Sequence, residues 1–212
     1  MKYRVIPVCA AIALAGGLMV YPTVAQDKSA AKQDKATQQK ENASPVSEEM
    51  MKKMAELGAP GPAHKALNPL AGEWNVVARF WMGGPEPTES KGTSTKRWIL
   101  GGRFLQEDHN GEFMAQPFQG MGLTGYDKMK QKYVGLWMDS MGTAMSVSEG
   151  AADADGKVIT MNGTMDDPMS GEKNKPIKYI LRIVGQDKHV MEMHDVSLGE
   201  KSKMGEITYV RK

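Results

Sequence analysis

Trp98-Ile-Leu-Gly-Gly-Arg-Phe-Leu-Gln-Glu-Asp108 is the stretch from which the fold is read. Two apolar-rich runs with strand-like alternation flank Gly101-Gly102. Adjacent glycines reach positive φ at little steric cost, so this pair predicts a tight hairpin turn. From about residue 72 onward the same design repeats: a strand, a Gly-containing turn, a strand.

Upstream of this hairpin, Gly72-Glu-Trp74 opens the first strand. Trp74, Val76, Ala78, Phe80 and Met82 alternate with Asn75, Val77, Arg79 and Trp81, which makes one face wholly apolar. Further strands are predicted over 91–100, 103–110, 118–127, 132–139, 142–149, 157–165, 175–185, 188–198 and 203–211. Turn residues separate them, among them Asn110-Gly111, Asp153-Ala-Asp-Gly156 and Gly199-Glu200. Almost every connection is too short for a crossover helix, so neighbouring strands must run antiparallel. The predicted class is all-β: an up-and-down barrel of about ten strands over residues 71–212, closed so that no edge is exposed. A barrel of this size generally encloses a cavity for a ligand.

Residues 47–70 read as a helix and a connector. Ser47 caps the helix, Glu48 and Glu49 suit its positive end, and Gly58 stops it. Met50, Met54 and Leu57 share one face, with Met51 beside them. A helix this short is marginal alone, so the Met face is expected to dock on the barrel, as packing or as a lid over the cavity mouth. Residues 26–46 lack aromatic side chains and read as a disordered leader.

Residues 1–25 read as a secretory signal: Lys2 and Arg4, an apolar run from Val5 to Val20, then Thr23-Val-Ala25 before the cleavage point. The expected location is periplasmic or secreted, with no stable membrane span after cleavage. The only cysteine, Cys9, leaves with the signal. Disulfides, thiolate metal sites and cysteine nucleophiles are thereby excluded from the mature chain. Removing Lys2 and Arg4 also reduces the formal net charge from +2 to zero, since 27 − 2 = 25 basic residues then face 25 acidic ones. With the net charge at zero, nothing in the sequence suggests a surface for tracking phosphates, and no nucleic-acid partner is expected.

Gly61-Pro-Ala-His-Lys-Ala-Leu67, Leu70-Ala-Gly-Glu-Trp74, Ile99-Leu-Gly-Gly-Arg-Phe-Leu105, Gln116-Pro-Phe118, Gly122-Leu-Thr-Gly-Tyr-Asp127, Tyr133-Val-Gly-Leu-Trp-Met-Asp-Ser140 and Ile207-Thr-Tyr-Val-Arg211 occur in this order along the chain. Together they resemble a bacterial family, domain-of-unknown-function family 1579. The family carries no established activity. Gly72-x-Trp74 on the first strand with Arg211 on the last also resembles the calycins: lipocalins, fatty-acid-binding proteins and nitrobindins. That resemblance implies a structural pair, Arg211 over the Trp74 indole at the barrel's base.

Gly120-Met-Gly-Leu-Thr-Gly125 satisfies the dinucleotide pattern in letters, but no helix follows to meet a pyrophosphate. It reads instead as a bent strand whose glycines relieve curvature. His194, in Val190-Met-Glu-Met-His194, falls where a nitrobindin-like barrel would hold haem, and its facing is open. Met191, Met193 and His194, or Met138, Met141 and Met145, are soft enough donors for Cu(I). Methionine spread over nearly every strand favours an adaptable apolar interior. Arg103, Glu107 and Asp108, with Arg97, Trp98 and Trp137, are placed to line a cavity mouth.

The sequence thus points to a binder of a small apolar or amphipathic molecule. Its candidate ligand-binding residues are Trp98, Arg103, Glu107, Tyr126, Trp137 and His194. No catalytic residue, metal ligand or cofactor is assigned. A hydrolase or isomerase on the same barrel, and a haem or copper carrier, are the alternatives.

Overall fold

The computed structural model describes residues 46–167 and 170–212. The signal read over 1–25, and all but the end of the leader read over 26–46, lie outside the described residues.

Ten strands form one closed antiparallel barrel: β1 (Gly72–Phe80), β2 (Thr88–Ile99), β3 (Phe104–Phe113), β4 (Gln116–Asp127), β5 (Lys132–Asp139), β6 (Ser146–Ala152), β7 (Val158–Met165), β8 (Lys175–Ile183), β9 (Lys188–Asp195) and β10 (Lys203–Arg211). Each strand pairs with its sequence neighbours, and β1 pairs with β10 to close the ring. The expected up-and-down barrel is therefore the fold. Trp98 pairs with Leu105 and Ile99 with Phe104 around the Gly pair. The connection is a four-residue loop over 100–103 rather than a two-residue turn. Leu100 joins Gly101 and Gly102 in the left-handed region, at φ 48°, 65° and 83°. The Ile99 carbonyl accepts from the amides of both Gly102 and Arg103.

Several strand boundaries differ from the expected ones by one to four residues, the largest shifts being at the start of β6 and, with β2 and β3, at the end of β9. Residues 142–145 are exposed loop, and β6 starts at Ser146 and extends past Gly150. Only glycine fits at 150, where a Cβ would sit 1.9 Å from the Thr160 carbonyl oxygen. β9 stops at Asp195 because the Asp195 carboxylate accepts from the Ser197 amide at 2.9 Å and starts a 3₁₀ segment, Val196–Lys201.

One end of the barrel is closed. Helix α2 (Pro62–Lys65) and a 3₁₀ turn (Asn68–Leu70) fold beneath β1. Leu67 and Leu70, 0 % and 2 % exposed, join Leu105, Tyr133, Ile159, Met161 and Leu181 in one apolar cluster. Burying each leucine is worth about 2 kcal/mol. The Trp74 indole N–H donates to the Leu70 carbonyl at 3.0 Å. Arg211 lies over the same indole, its guanidinium carbon 4.2 Å from the ring centroid. It donates to the carbonyls of Pro69, Ala71 and Gln186. Gly72 is obligatory beneath it: a Cβ there would meet Arg211 Nη1 at 2.1 Å, and φ is 137°.

Helix α1 (Glu48–Gly58) contains no buried residue. Met54 is 62 % exposed, and Met50, Met51 and Leu57 are exposed with it. The expected docking of this face is not what the structure has. The Lys128 ammonium instead donates to the carbonyls of Glu56 and Ala59, tying the helix down by its C-terminal end. No helix among the described residues is long and apolar enough to cross a membrane.

Candidate functional site: the barrel interior

Register fixes which side chains point inward. Trp74 pairs with Ser94, Ser94 with His109, Lys96 with Glu107, His109 with Gly120, and Gly122 with Trp137. Residues sharing such a row share a face.

A polar cluster sits above the plugged base. Lys96 is 7 % exposed, and its ammonium lies 3.1 Å from Glu107 Oε2 and 3.0 Å from His189 Nε2. It also lies 3.9 Å above the centre of the Tyr209 ring. Ser94 donates to the other Glu107 oxygen at 2.8 Å. His189 is 1 % exposed, stacks on Tyr209 at 4.2 Å, and meets the Trp74 indole edge-on at 4.3 Å. Burial, reinforced by the charges of Lys96 and Arg211, pushes the His189 pKa down to about 2. The ring is thus neutral, and Nε2 accepts from Lys96. Nδ1 has no hydrogen-bond partner among the described residues. Burial lowers the Lys96 pKa, and Glu107 opposes that shift. Burial, with Glu107 adding to it, raises the Tyr209 hydroxyl well above its usual value. The cluster leaves the Lys96 and Glu107 charges compensated by each other and by their neighbours.

Higher up, the inner wall is paved with rings lying over glycines. A Cβ on Gly120 would meet the Trp137 indole at 2.3 Å, and one on Gly122 would meet it at 3.1 Å. The glycines of the Gly120–Gly125 run are thus needed for close ring packing. Gly125, on the outer side, serves Phe104 in the same way. His109 lies over Gly92 and Gly111. Burial lowers its pKa. An arc of rings runs Phe80, Phe113, Phe118, His109, Trp137, with neighbouring centroids 5.4–6.5 Å apart. The Trp137 indole N–H donates to Asp139 at 2.9 Å, which fixes the ring. A recess of about 710 Å³ lies across the rim near the arc, touching outward-facing Asp108, Met121 and Met138 as well as His109, Asp139 and the 142–145 loop.

The six candidate residues are not brought together. Glu107 and Trp137 face the interior, at the polar cluster and in the ring arc. Trp98 and Tyr126 face inward at the closed base. Trp98 Nε1 donates to Asn68, and Tyr126 packs edge-on against Tyr133 and His64. Arg103 is exposed in the 100–103 loop and donates to the Leu100 carbonyl. The hairpin expected at a cavity mouth is at the plugged end, because the connector ahead of β1 folds under it. Arg97 and Asp108 pair with each other at the surface. His194 lies on the outer face, in register with Lys178 and Lys203, where Nδ1 meets Ser202 Oγ at 3.0 Å and Nε2 lies 3.6 Å from Glu192. Alternation thus splits Met191 and Met193, which point inward, from His194, which points out. Among the described residues, no group of three or more His, Cys, Asp or Glu side chains is placed to hold a metal ion.

Lys96, His189, Ser94, Tyr209 and His109 were absent from the sequence-derived set. The run Thr93-Ser-Thr-Lys-Arg97 has no apolar alternation to mark an inner face. The hairpin register carries the missing signal: counting back from the Trp98–Leu105 pair brings Lys96 opposite Glu107.

Fold and interior together define a closed ten-stranded β-barrel of calycin-like form, plugged at one end and ring-lined toward the other. The chain belongs to the family described as proteins of unknown function, DUF1579, whose model matches residues 59–211. Among solved structures it is similar to Rv2717c from M. tuberculosis, with 17 % identity, a TM-score of 0.54, and coverage of 73 % of this chain and 99 % of that one. At that identity the likeness is one of fold. A redesigned beta barrel also matches, at 13 % identity and a TM-score of 0.38, covering 69 % of this chain and 95 % of that one. No curated protein matches the chain.

Proposed function

We propose that this protein is an exported carrier that holds a small apolar or amphipathic molecule inside the barrel. A contrast in burial between two sets of inward apolar side chains carries the reading. Ile177 and Asp195, inward near the open end on β8 and β9, are buried, so the contrast belongs mainly to the β1 and β3–β5 side of that end. Toward the base, the inward side chains of Trp74, Val76, Leu105, Ile159, Leu181 and Tyr209 are fully buried. Toward the other end, Phe80, Phe113, Phe118, Trp137 and Met193 also sit at inward register positions, yet they are only partly buried. Inward-facing apolar rings that keep solvent contact are what a ligand would cover. The export half of the reading rests on Lys2, Arg4 and the apolar run that follows them.

The test is native mass spectrometry of the full chain, expressed with its own N-terminus and recovered from the exported fraction. Added mass from a small organic molecule that solvent extraction removes, and an N-terminus at Gln26, are expected. A protein that is always empty and takes up no apolar dye would argue against the carrier. Retention in the cytoplasm with an intact N-terminus would argue against export.

A further inference from the structure

Building on the carrier reading, we infer that the ligand is a flat, conjugated ring compound, held by stacking rather than by ion pairing. The first support is the paving. Four inward positions on adjacent strands, Gly92, Gly111, Gly120 and Gly122, carry no side chain. The His109 and Trp137 rings occupy that space and lie close against the wall. A barrel filled by its own side chains has no need of this. Glycines cost stability in strands, and the rings lie where they narrow the interior least. Asp139 holds the indole N–H at 2.9 Å, so the Trp137 face is oriented before any ligand arrives.

The second support is the opposite wall. β9 lies five strands from β4 in either direction round the ring; of its inward methionines, Met191 packs against the base clusters and Met193 lies beyond them toward the open end. Thioethers are flexible and make favourable contacts with aromatic ring edges. A flat ring compound entering between these walls meets rigid π faces on one side and adaptable sulfur on the other.

The third support is that the inward charges are already paired. Near the open end Lys175 meets Asp195 at 2.8 Å. Lys96 already meets Glu107, His189 and the Tyr209 ring, and Glu107 already accepts from Ser94. Recruiting either charge to a ligand would strand its partner in a buried site.

The experiment compares two uncharged alcohols on the intact protein, 9-anthracenemethanol as the flat aromatic probe and cyclododecanol as the aliphatic one. Isothermal titration measures both, on the unmodified chain and on Trp137→Leu. The anthracene alcohol is expected to bind about tenfold more tightly than the aliphatic one, the size of a single good stacking contact. Trp137→Leu should remove most of that preference and leave the aliphatic alcohol within about twofold. Trp137→Phe keeps a ring and should retain part of the preference. If Trp137→Leu does not fold, the comparison on the unmodified chain still decides. Equal affinity for the two alcohols, or an equal loss of both in Trp137→Leu, overturns the ring-compound inference and leaves the carrier reading standing. If neither alcohol binds and apolar dyes do not either, both fall.

Discussion

The Arg211 guanidinium lies 4.2 Å from the Trp74 ring centroid, and the two residues are register partners across the β1–β10 seam. The seam that closes the barrel is therefore locked by one side chain that also ties down the connector through the Pro69 and Ala71 carbonyls. Arg211→Ala should cost about 1–3 kcal/mol, from a lost cation–π contact and lost carbonyl partners. Gly72→Ala should also destabilise the native chain, and should cost less in the Arg211→Ala background, where the clashing guanidinium is gone. Urea unfolding of the double-mutant cycle reads the coupling. Additive costs would mean that the Gly72 effect is backbone strain alone.

The Lys96–Glu107 pair is buried, so removing one partner is expected to cost more than removing both. Glu107→Gln should destabilise by about 3–5 kcal/mol because it strands an ammonium away from water. Lys96→Met combined with Glu107→Gln should recover part of that loss. Denaturant midpoints for the two singles and the double decide the matter, and a double variant no better than Glu107→Gln would contradict it.

His189 links stability to pH. Its pKa falls from an ordinary 6.5 to about 2 on folding, so below pH 6.5 the unfolded chain binds a proton that the native ring does not. Its contribution to stability is complete above pH 6.5 and declines on acidification toward pH 2, with a slope of roughly 1.4 kcal/mol per pH unit. His64 and His109, also lowered by burial, act in the same direction. Between pH 6 and 5, His189→Asn should lose stability less steeply than the native chain, by about one proton's slope. Unfolding free energies at those two pH values are the measurement, and parallel lines would show that His189 does not titrate as described.

The base plug should behave as core. Leu67→Ala is expected to cost about 2–5 kcal/mol, since the side chain is fully buried among Tyr133, Leu105 and their neighbours. Met54→Gln on exposed α1 should stay within about 0.5 kcal/mol. Thermal melts of both variants test this contrast. Comparable losses would mean that the α1 face is packed in solution.

The course of the chain is legible in its amino-acid order. Glycine-marked turns and period-two alternation separate ten strands, and connections too short for helices leave antiparallel neighbours as the only option. The resemblance to the calycins likewise implies the Trp74–Arg211 seam pair; that Gly72 leaves room for the guanidinium is a fact of the structure. What the linear order leaves undetermined is which end is sealed and which polar side chains go inside. Runs such as Thr93 to Arg97 are polar on both faces, so alternation sorts them into two sets without saying which is inner. Closure of the ring makes that assignment: it brings His189 and Tyr209 beside Lys96 across β1 and β10, and leaves His194 outside. Partnership at that distance belongs to three dimensions, since Lys96 and His189 meet only when the sheet's two edges do.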